Sequence, residues 1–336
     1  MIALALNGGS SSLKYALFDG EDVIVRGARE RTTDLAAALG EVVTQLDGGG
    51  HARPDVIGHR IVHGGPEHQD PAVVDSALVA ALEAAIPFAP LHLPSELALL
   101  HASQVSYAGI PHVTCFDTGF HRTLPPVARH FALPARLHDA GVRRYGFHGL
   151  SYEYIVSALD PAHTRRAVIA HLGSGASLAA IRNGESIDTT MGLTPTGGIA
   201  MGTRTGDLDP GVILHLLDSG YDAAAVRQLV DHDGGLKGLS GTTSDMQALL
   251  AARATDPRAA LAIDVFCYQA RKAIGAFAAA LGGLEDLVFT GGIGEHAETV
   301  RAQICDGLGY LEPLRIHVVA TDEERMIARH ALRLAT

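Results

Sequence analysis

From end to end of the chain, apolar runs of strand length alternate with longer stretches of helical periodicity, a pattern that specifies an α/β protein with largely covered sheets. The runs predict strands near residues 2–6, 13–18, 55–62, 111–116, 166–171, 176–182, 286–290 and 315–320. Helical patterns fall at about 76–86, 94–105, 244–254, 258–281 and 322–334, with Asp245 and Asp322 near two of the helix starts. At 336 residues, 47% hydrophobic and 19% charged, the chain can bury the core of one large or two medium domains.

The net charge of −11 argues against a nucleic-acid or anionic-membrane surface, both of which need clustered Lys and Arg. The longest strongly apolar stretch, 273–284, is shorter than the ~18 residues of a membrane span. Met1 to Leu6 lacks a basic flank and runs into a Gly/Ser turn, so it reads as a buried strand rather than a signal peptide. Cys115, Cys267 and Cys305 are widely spaced and form no CxxC pair, which disfavours a disulfide framework or a zinc site and points to a reducing, cytoplasmic compartment.

An internal echo divides the chain near its middle. Asn7-Gly-Gly-Ser-Ser-Ser-Leu13 and Leu172-Gly-Ser-Gly-Ala-Ser-Leu178 align so that Gly8, Ser12 and Leu13 fall on Gly173, Ser177 and Leu178. In each copy an apolar strand enters a Gly/Ser turn and another leaves it, the pattern of a hairpin whose tip offers backbone N–H groups to phosphate. An ordinary flexible turn has the same composition. No GxxxxGK[ST] occurs, so a P-loop nucleotidase is disfavoured.

Other segments carry chemistry at strand ends. Gly58-His-Arg-Ile-Val-His-Gly-Gly65 ends a strand with Arg60, whose planar fork suits a carboxylate or phosphate as well as a surface ion pair. Ala89-Pro-Leu-His-Leu-Pro94 fixes His92 between prolines, and Pro94 equally suits a helix start. Thr114-Cys-Phe-Asp-Thr-Gly-Phe-His121 places Asp117 just after a strand, as a magnesium carboxylate or a turn former. Arg143-Arg-Tyr-Gly-Phe-His-Gly149 and Met201-Gly-Thr-Arg-Thr-Gly-Asp-Leu-Asp-Pro210 confine His148 and Arg204 beside glycines. Asp207 and Asp209 in the latter are also natural caps for the following helix. Phe289-Thr-Gly-Gly-Ile-Gly-Glu295 follows a strand and leads to a helix, a setting for a nucleotide on the backbone. Its order is not GxGxxG, which argues against a dinucleotide-binding dehydrogenase.

Together and in this order, with His171–Ser177 and Asp188–Pro210, these segments resemble acetate kinase, a family of the sugar-kinase/Hsp70/actin superfamily. The resemblance runs from Asn7 to Glu324. It implies an α/β fold of two ribonuclease-H-like domains with an active-site cleft between them, residues 1–118 plus 324–336 forming one and 119–323 the other, with the nucleotide site. It implies Mg²⁺-dependent, reversible, in-line transfer of the terminal phosphoryl group of ATP to acetate or propionate, giving acyl phosphate and ADP. By the same resemblance the catalytic residues are Arg60, Asp117, His148, Arg204, His92 and His171. The acyl group is received by Arg60, Val62, Leu91, Phe147 and Pro195. Phosphate and nucleotide fall to Ser10, Ser12, Lys14, His171, Leu172, Gly173, Ser174, Gly175, Asp245, Gln247, Gly291, Gly292, Gly294, Glu295 and His296, and metal to Asn7, Asp117 and Glu323. A homodimer is implied as well.

The chemistry suits these residues, because a short carboxylate is already ionised near pH 7 and needs no strong base. Cations and alignment must bring two anions together. The chain departs from the family mainly around the nucleotide: Ser174 and His296 stand for Asn, and Gln247 for Arg. Leu93 replaces an Asn and Gly119 an Ala, and the chain is short before Gly58 and between Leu311 and Val318. These departures leave a pyrophosphate or polyphosphate donor, or a catalytically weak ligand sensor on the same fold, as alternatives. Without a helix-turn-helix or basic segment, a DNA-binding regulator is disfavoured.

Overall fold

The structure is a computed structural model and describes residues 1–9, 12–30, 32 and 34–336. The chain forms two compact units: Met1–Arg122 with His148–Tyr154 and Asp322–Thr336, and Thr123–Phe147 with Ile155–Thr321. Relative to the division expected from sequence, the first unit extends from 118 to Arg122, takes in His148–Tyr154, and resumes at Asp322 rather than 324.

The first unit is built on a six-stranded sheet of β1 (Ile2–Gly8), β2 (Ser12–Asp19), β3 (Asp22–Glu30), β4 (Val56–Ile61), β5 (Ala72–Val73) and β6 (His112–Phe116). Their order across the sheet is β3-β2-β1-β4-β6-β5. β1 pairs antiparallel with β2 and parallel with β4, so it is buried on both faces and reads as a continuous apolar run. Its side chains still sort by size with the period of two. Leu4 and Leu6 pack with Leu39 and Val42 of the Leu35–Gly48 helix and Leu99 of the Leu93–Ser106 helix. Ala3 and Ala5 face the Glu323–Ala335 helix through Ile327 and Ala331.

The small residues on that second face bring the last helix close to the sheet. A Cβ on Gly58 of β4 would lie 2.5 Å from Ile327 Cγ2 and 3.0 Å from the Ile327 carbonyl oxygen. This close packing carries the start of the helix, Glu323 and Glu324, to Asn7 at the end of β1.

In the second unit β7 (Arg166–Leu172), β8 (Ala176–Arg182), β9 (Glu185–Thr189), β10 (Asp286–Thr290) and β11 (Arg315–Val318) form a five-stranded sheet ordered β11-β10-β7-β8-β9. Strands β7 to β9 are antiparallel, and β10 and β11 continue parallel to β7. This repeats the order and polarity of β1, β2, β3, β4 and β6, so the sequence echo marks the equivalent first hairpin of two sheets of one design. The Pro257–Leu281 helix, which has contacts with β7 and β8, buries Ala262, Ile263, Phe266, Ala270, Ile274, Phe277 and Leu281 along one stripe. Asp256 caps its start, Pro257 occupies the first turn and Gly282 at φ +71° ends it.

The expected strands and helices are all present, with boundaries shifted by a few residues. The sequence reading omits β3, whose outward residues are exposed, the short strands β5 and β9, and helices that include Leu35–Gly48, Gly149–Ala158, Ala223–His232 and Glu298–Cys305. It treats Gly291 to Glu295 as a turn leading to a helix, whereas Gly291–His296 is itself a helix that follows β10 directly. No helix among the described residues is long and apolar enough to cross a membrane.

Candidate active site

In the first unit, three strand ends and one helix start gather a polar cluster. Arg60, near the end of β4, directs its guanidinium at Asp117, the residue after β6. Nη2 lies 2.6 Å from Oδ2, and Nε lies 3.1 and 3.0 Å from the two carboxylate oxygens. Arg60 Nη1 donates to Asn7 Oδ1 at 3.3 Å and to the Gly8 carbonyl at 3.2 Å. Asn7 Nδ2 in turn donates to Glu323 Oε2 at 2.9 Å and Glu324 Oε1 at 2.7 Å. Arg60, Asp117, Asn7 and Glu323, named from separate segments of sequence, thus belong to one network, with Glu324 as a member the sequence reading did not name.

The electrostatics follow from burial. Desolvation works against the Arg60 cation, but Asp117 and Glu323 outweigh it and hold its proton more firmly than in water. Burial pushes the Asp117 carboxyl upward, Arg60 opposes that push, and Glu323 adds to it. Glu324 is pushed up by burial and by the adjacent Glu323, with Asn7 opposing. Glu324 resists ionising beside Glu323, and the like-charge repulsion of this hard, oxygen-rich pair is one that a divalent cation would relieve. The paired oxygens of Glu323 and Glu324 are of the hard type that Mg²⁺ takes, while the Asp117 carboxylate is engaged by Arg60.

The backbone around Asp117 is equally constrained. Its N–H donates to the Ile61 carbonyl at 3.0 Å, and its carbonyl accepts from Gly149 N–H at 2.8 Å. A Cβ on Gly149 would lie 2.2 Å from that carbonyl oxygen. His148 has φ +60°, a left-handed conformation that a non-glycine residue adopts at a cost of about 1–3 kcal/mol. Its backbone N–H bonds the Asp117 carboxylate, which explains why the turn is held.

Beside this cluster lies a buried acid for which the sequence reading gave no role. Glu96, in the Leu93–Ser106 helix, is 2% exposed. Its Oε2 accepts the Val62 N–H at 3.0 Å, while Oε1 is buried without a partner among the described residues. Burial pushes its carboxyl up to about 8 against the pull of Arg60. The available signal was an acid inside the apolar run Leu93-Pro-Ser-Glu-Leu-Ala-Leu-Leu100. Val62 and His92 are buried and Leu91 half-buried in the same unit.

The second unit holds the other expected residues. Arg204 Nη1 donates to the Pro195 carbonyl at 2.8 Å, joining two of them. Phe147 is buried, and His171, at the end of β7, is half-buried. A cavity of about 690 Å³ is lined by Gly173, Ser174, Asp245, Gln247, Gly292 and His296, and by Ser244, Met246, Leu250, Ile293 and Ala297, which the sequence reading did not single out. Its size and its mix of aliphatic and polar walls suit a nucleoside.

Other residues of the same motifs shape the cavity's frame rather than its lining. Gly291, at φ +77°, would place a Cβ 2.8 Å from the Leu172 carbonyl, and Gly294 packs near Phe289 and Ala170. Glu295 Oε1 accepts from Gly291 N–H at 2.9 Å and Thr321 N–H at 3.2 Å. Leu172 is buried in the strand, and the Gly175 carbonyl accepts from Gly173 N–H at 3.0 Å. Asp245 caps the Met246–Ala252 helix through Gln247 N–H at 2.8 Å. In the first unit Ser12 begins β2 and Lys14 is exposed, while Ser10 lies outside the described residues.

The chain matches the sequence model of the acetokinase family over residues 26–329. An acetate kinase of Nitrobacter hamburgensis is 39% identical, the alignment covering 98% of this chain and 95% of that protein. One of Methylocella silvestris is 40% identical, covering 98% and 97%. Among solved structures, Porphyromonas gingivalis acetate kinase aligns over 100% of both chains with a TM-score of 0.88 and 34% identity. A propionate kinase of Francisella tularensis aligns over 99% of both with a TM-score of 0.91 and 30% identity.

Proposed function

Since the chain belongs to the acetokinase family, with its two-domain sugar-kinase/actin-like fold and a carboxyl group as phosphoryl acceptor, we propose that it catalyses direct in-line transfer between ATP and acetate or propionate with Mg²⁺. The observation that carries this reading is the Arg60 guanidinium, fixed by the buried Asp117 and Asn7 and next to a pair of acids. Arg60 is the anchor for the acceptor carboxylate, and Val62 and Leu91 of the same unit are its apolar neighbours for the acyl group; Phe147 and Pro195 have the same acyl role by the family resemblance.

The acceptor is already an anion, so the task is charge neutralisation and alignment. Arg60 and Arg204 offset the charge of the two reactants, and the side chain of His148, on its fixed backbone, donates to the transferring group. His92 and His171 assist in the same role. Asn7, Asp117, Glu323 and Glu324 would hold Mg²⁺, which would supply further neutralisation of phosphate charge. Losing one such donor costs roughly 2–4 kcal/mol of barrier, by analogy with oxyanion holes.

The cavity favours a nucleotide over pyrophosphate as donor, because an inorganic donor leaves the aliphatic wall of Met246, Leu250 and Ile293 unused. Ser174, Gln247 and His296 line it in place of the family's usual residues and would tune which nucleotide is preferred. A homodimer is supported by the helix Pro210–Asp218, which is apolar yet buries none of its residues, exposing Val212, Leu214 and Leu217. The need for ATP supports the cytoplasm as the compartment of the reaction. The test combines purified protein and Mg²⁺ with acetate, propionate or butyrate and ATP, GTP or pyrophosphate, trapping acyl phosphate as the hydroxamate. Product with acetate or propionate and ATP is expected. No product from any pair, nor ATP from acetyl phosphate and ADP, would replace the enzyme with a ligand sensor.

A further inference from the structure

A second group of ligand-type side chains lies within the second unit, outside the cavity and the residues assigned to phosphoryl transfer. Asp286 opens β10 and its carboxylate is wholly buried. His163, from the turn Pro161–Thr164 ahead of β7, places Nδ1 3.0 Å from Asp286 Oδ1. His317, from β11, places Nε2 2.8 Å from the same oxygen. The three ligand atoms all lie within 4.8 Å of one another, and the imidazole rings are 4.9 Å apart. Arg315 completes the group, with Nη2 2.6 Å from Oδ2 and Nε 2.8 Å from Oδ1.

We propose that His163, Asp286 and His317 form a binding site for a divalent transition metal of the zinc type, tying the edge strand β11 to β10 and to the approach to β7. The donor set is the chemical match: two imidazoles and one carboxylate suit zinc, whereas magnesium prefers oxygen. Zinc lies about 2.0–2.2 Å from such ligands, a spacing that small side-chain rotations reach from the present contacts. The side chains of His163 and His317 are 34% and 24% exposed, so an ion can enter from solvent and keep water as a fourth ligand.

Coordination replaces two hydrogen bonds. Each neutral imidazole moves its proton to the ring nitrogen away from Asp286, and the lone pair so freed binds the metal, with no net proton lost. Arg315 stays on Oδ2 and fixes the carboxylate plane, the outer-shell role that metal ligands need. Arg315 and Arg166 balance Asp286 and Glu285, so binding rests on coordination bonds rather than on an acidic field. Because β11 pairs only with β10 among the described residues, one ion joining the two strands reinforces an otherwise open edge.

The test uses chelator-stripped full-length protein in excess Mg²⁺, titrated with Zn²⁺ by calorimetry and with Co²⁺ by visible absorption. His163→Asn and His317→Gln put an amide N–H where each imidazole donor lies, preserving the hydrogen bond to Asp286 while removing a ligand. One Zn²⁺ per chain, a higher thermal midpoint with Zn²⁺, and Co²⁺ bands of low-coordinate nitrogen ligation are expected. Each variant should lose affinity about tenfold or more while keeping the metal-free midpoint. Absence of binding and of those Co²⁺ bands in the unaltered protein would overturn the site, as would unchanged binding in both variants. The readouts do not depend on activity.

Discussion

Glu96→Gln isolates the buried acid beside Arg60. The amide keeps an oxygen to accept the Val62 N–H and cannot ionise. Glu96 sits at about 8 in the folded protein against a reference of 4.5, chiefly through burial. The native state therefore retains a proton that the unfolded chain gives up, and its stability falls as pH rises from 4.5 to about 8, with the loss complete above that value. At about 1.36 kcal/mol per pH unit, the full loss is about 5 kcal/mol. About 3 kcal/mol of it falls between pH 5.5 and 9.

Denaturant unfolding of both proteins across that range cancels the groups that titrate independently of Glu96. The variant should gain about 3 kcal/mol on the unaltered protein from pH 5.5 to 9. Kinetics give a second readout: ionised Glu96 adds a negative charge beside Arg60, so KM for the acceptor should rise above pH 8 in the unaltered protein and stay flatter in the variant. Parallel stability curves across the range would refute the reasoning, since they would mean that Glu96 ionises alike in both states.

Three further substitutions probe the frame around the site. Arg204→Ala should lower kcat by about two orders of magnitude with little change in thermal midpoint; a collapsed midpoint would make its bond to Pro195 its main role. Asp117→Ala should cost about 3–5 kcal/mol in unfolding free energy, because it strands the largely buried Arg60 cation; a cost below 1 kcal/mol in denaturant titration would contradict that. Gly149→Ala places a methyl 2.2 Å from the Asp117 carbonyl and should cost about 1–3 kcal/mol and weaken turnover, read by denaturation and the hydroxamate assay.

What the sequence determined by itself was the set of local patterns. Apolar runs buried on both faces, such as β1 and β7, are legible because nearly every residue carries the signal. The Pro257–Leu281 helix is legible from its stripe and its Asp-Pro start, and Arg60, Asp117 and Arg204 from motif order. β3 escaped because its large apolar residues are confined to the short run Val23 to Val25 and the rest of the strand is charged or small, and the Gly291–His296 helix because glycine propensity argues against a helix that tertiary packing imposes.

Only the tertiary structure decided how the residues use one another. The size sorting on β1 and the absent side chain at Gly58 let the last helix approach and bring Glu323 and Glu324 to Asn7, a contact spanning more than 300 residues of sequence. Glu96 has the same side chain as any exposed glutamate, and its raised proton affinity comes from lost water, which outweighs the opposing pull of nearby Arg60. His163, Asp286 and His317 likewise meet at one oxygen because parallel pairing places β11 beside β10. Local pattern is written in neighbouring residues, whereas desolvation and charge pairing are properties of the space that distant residues enclose.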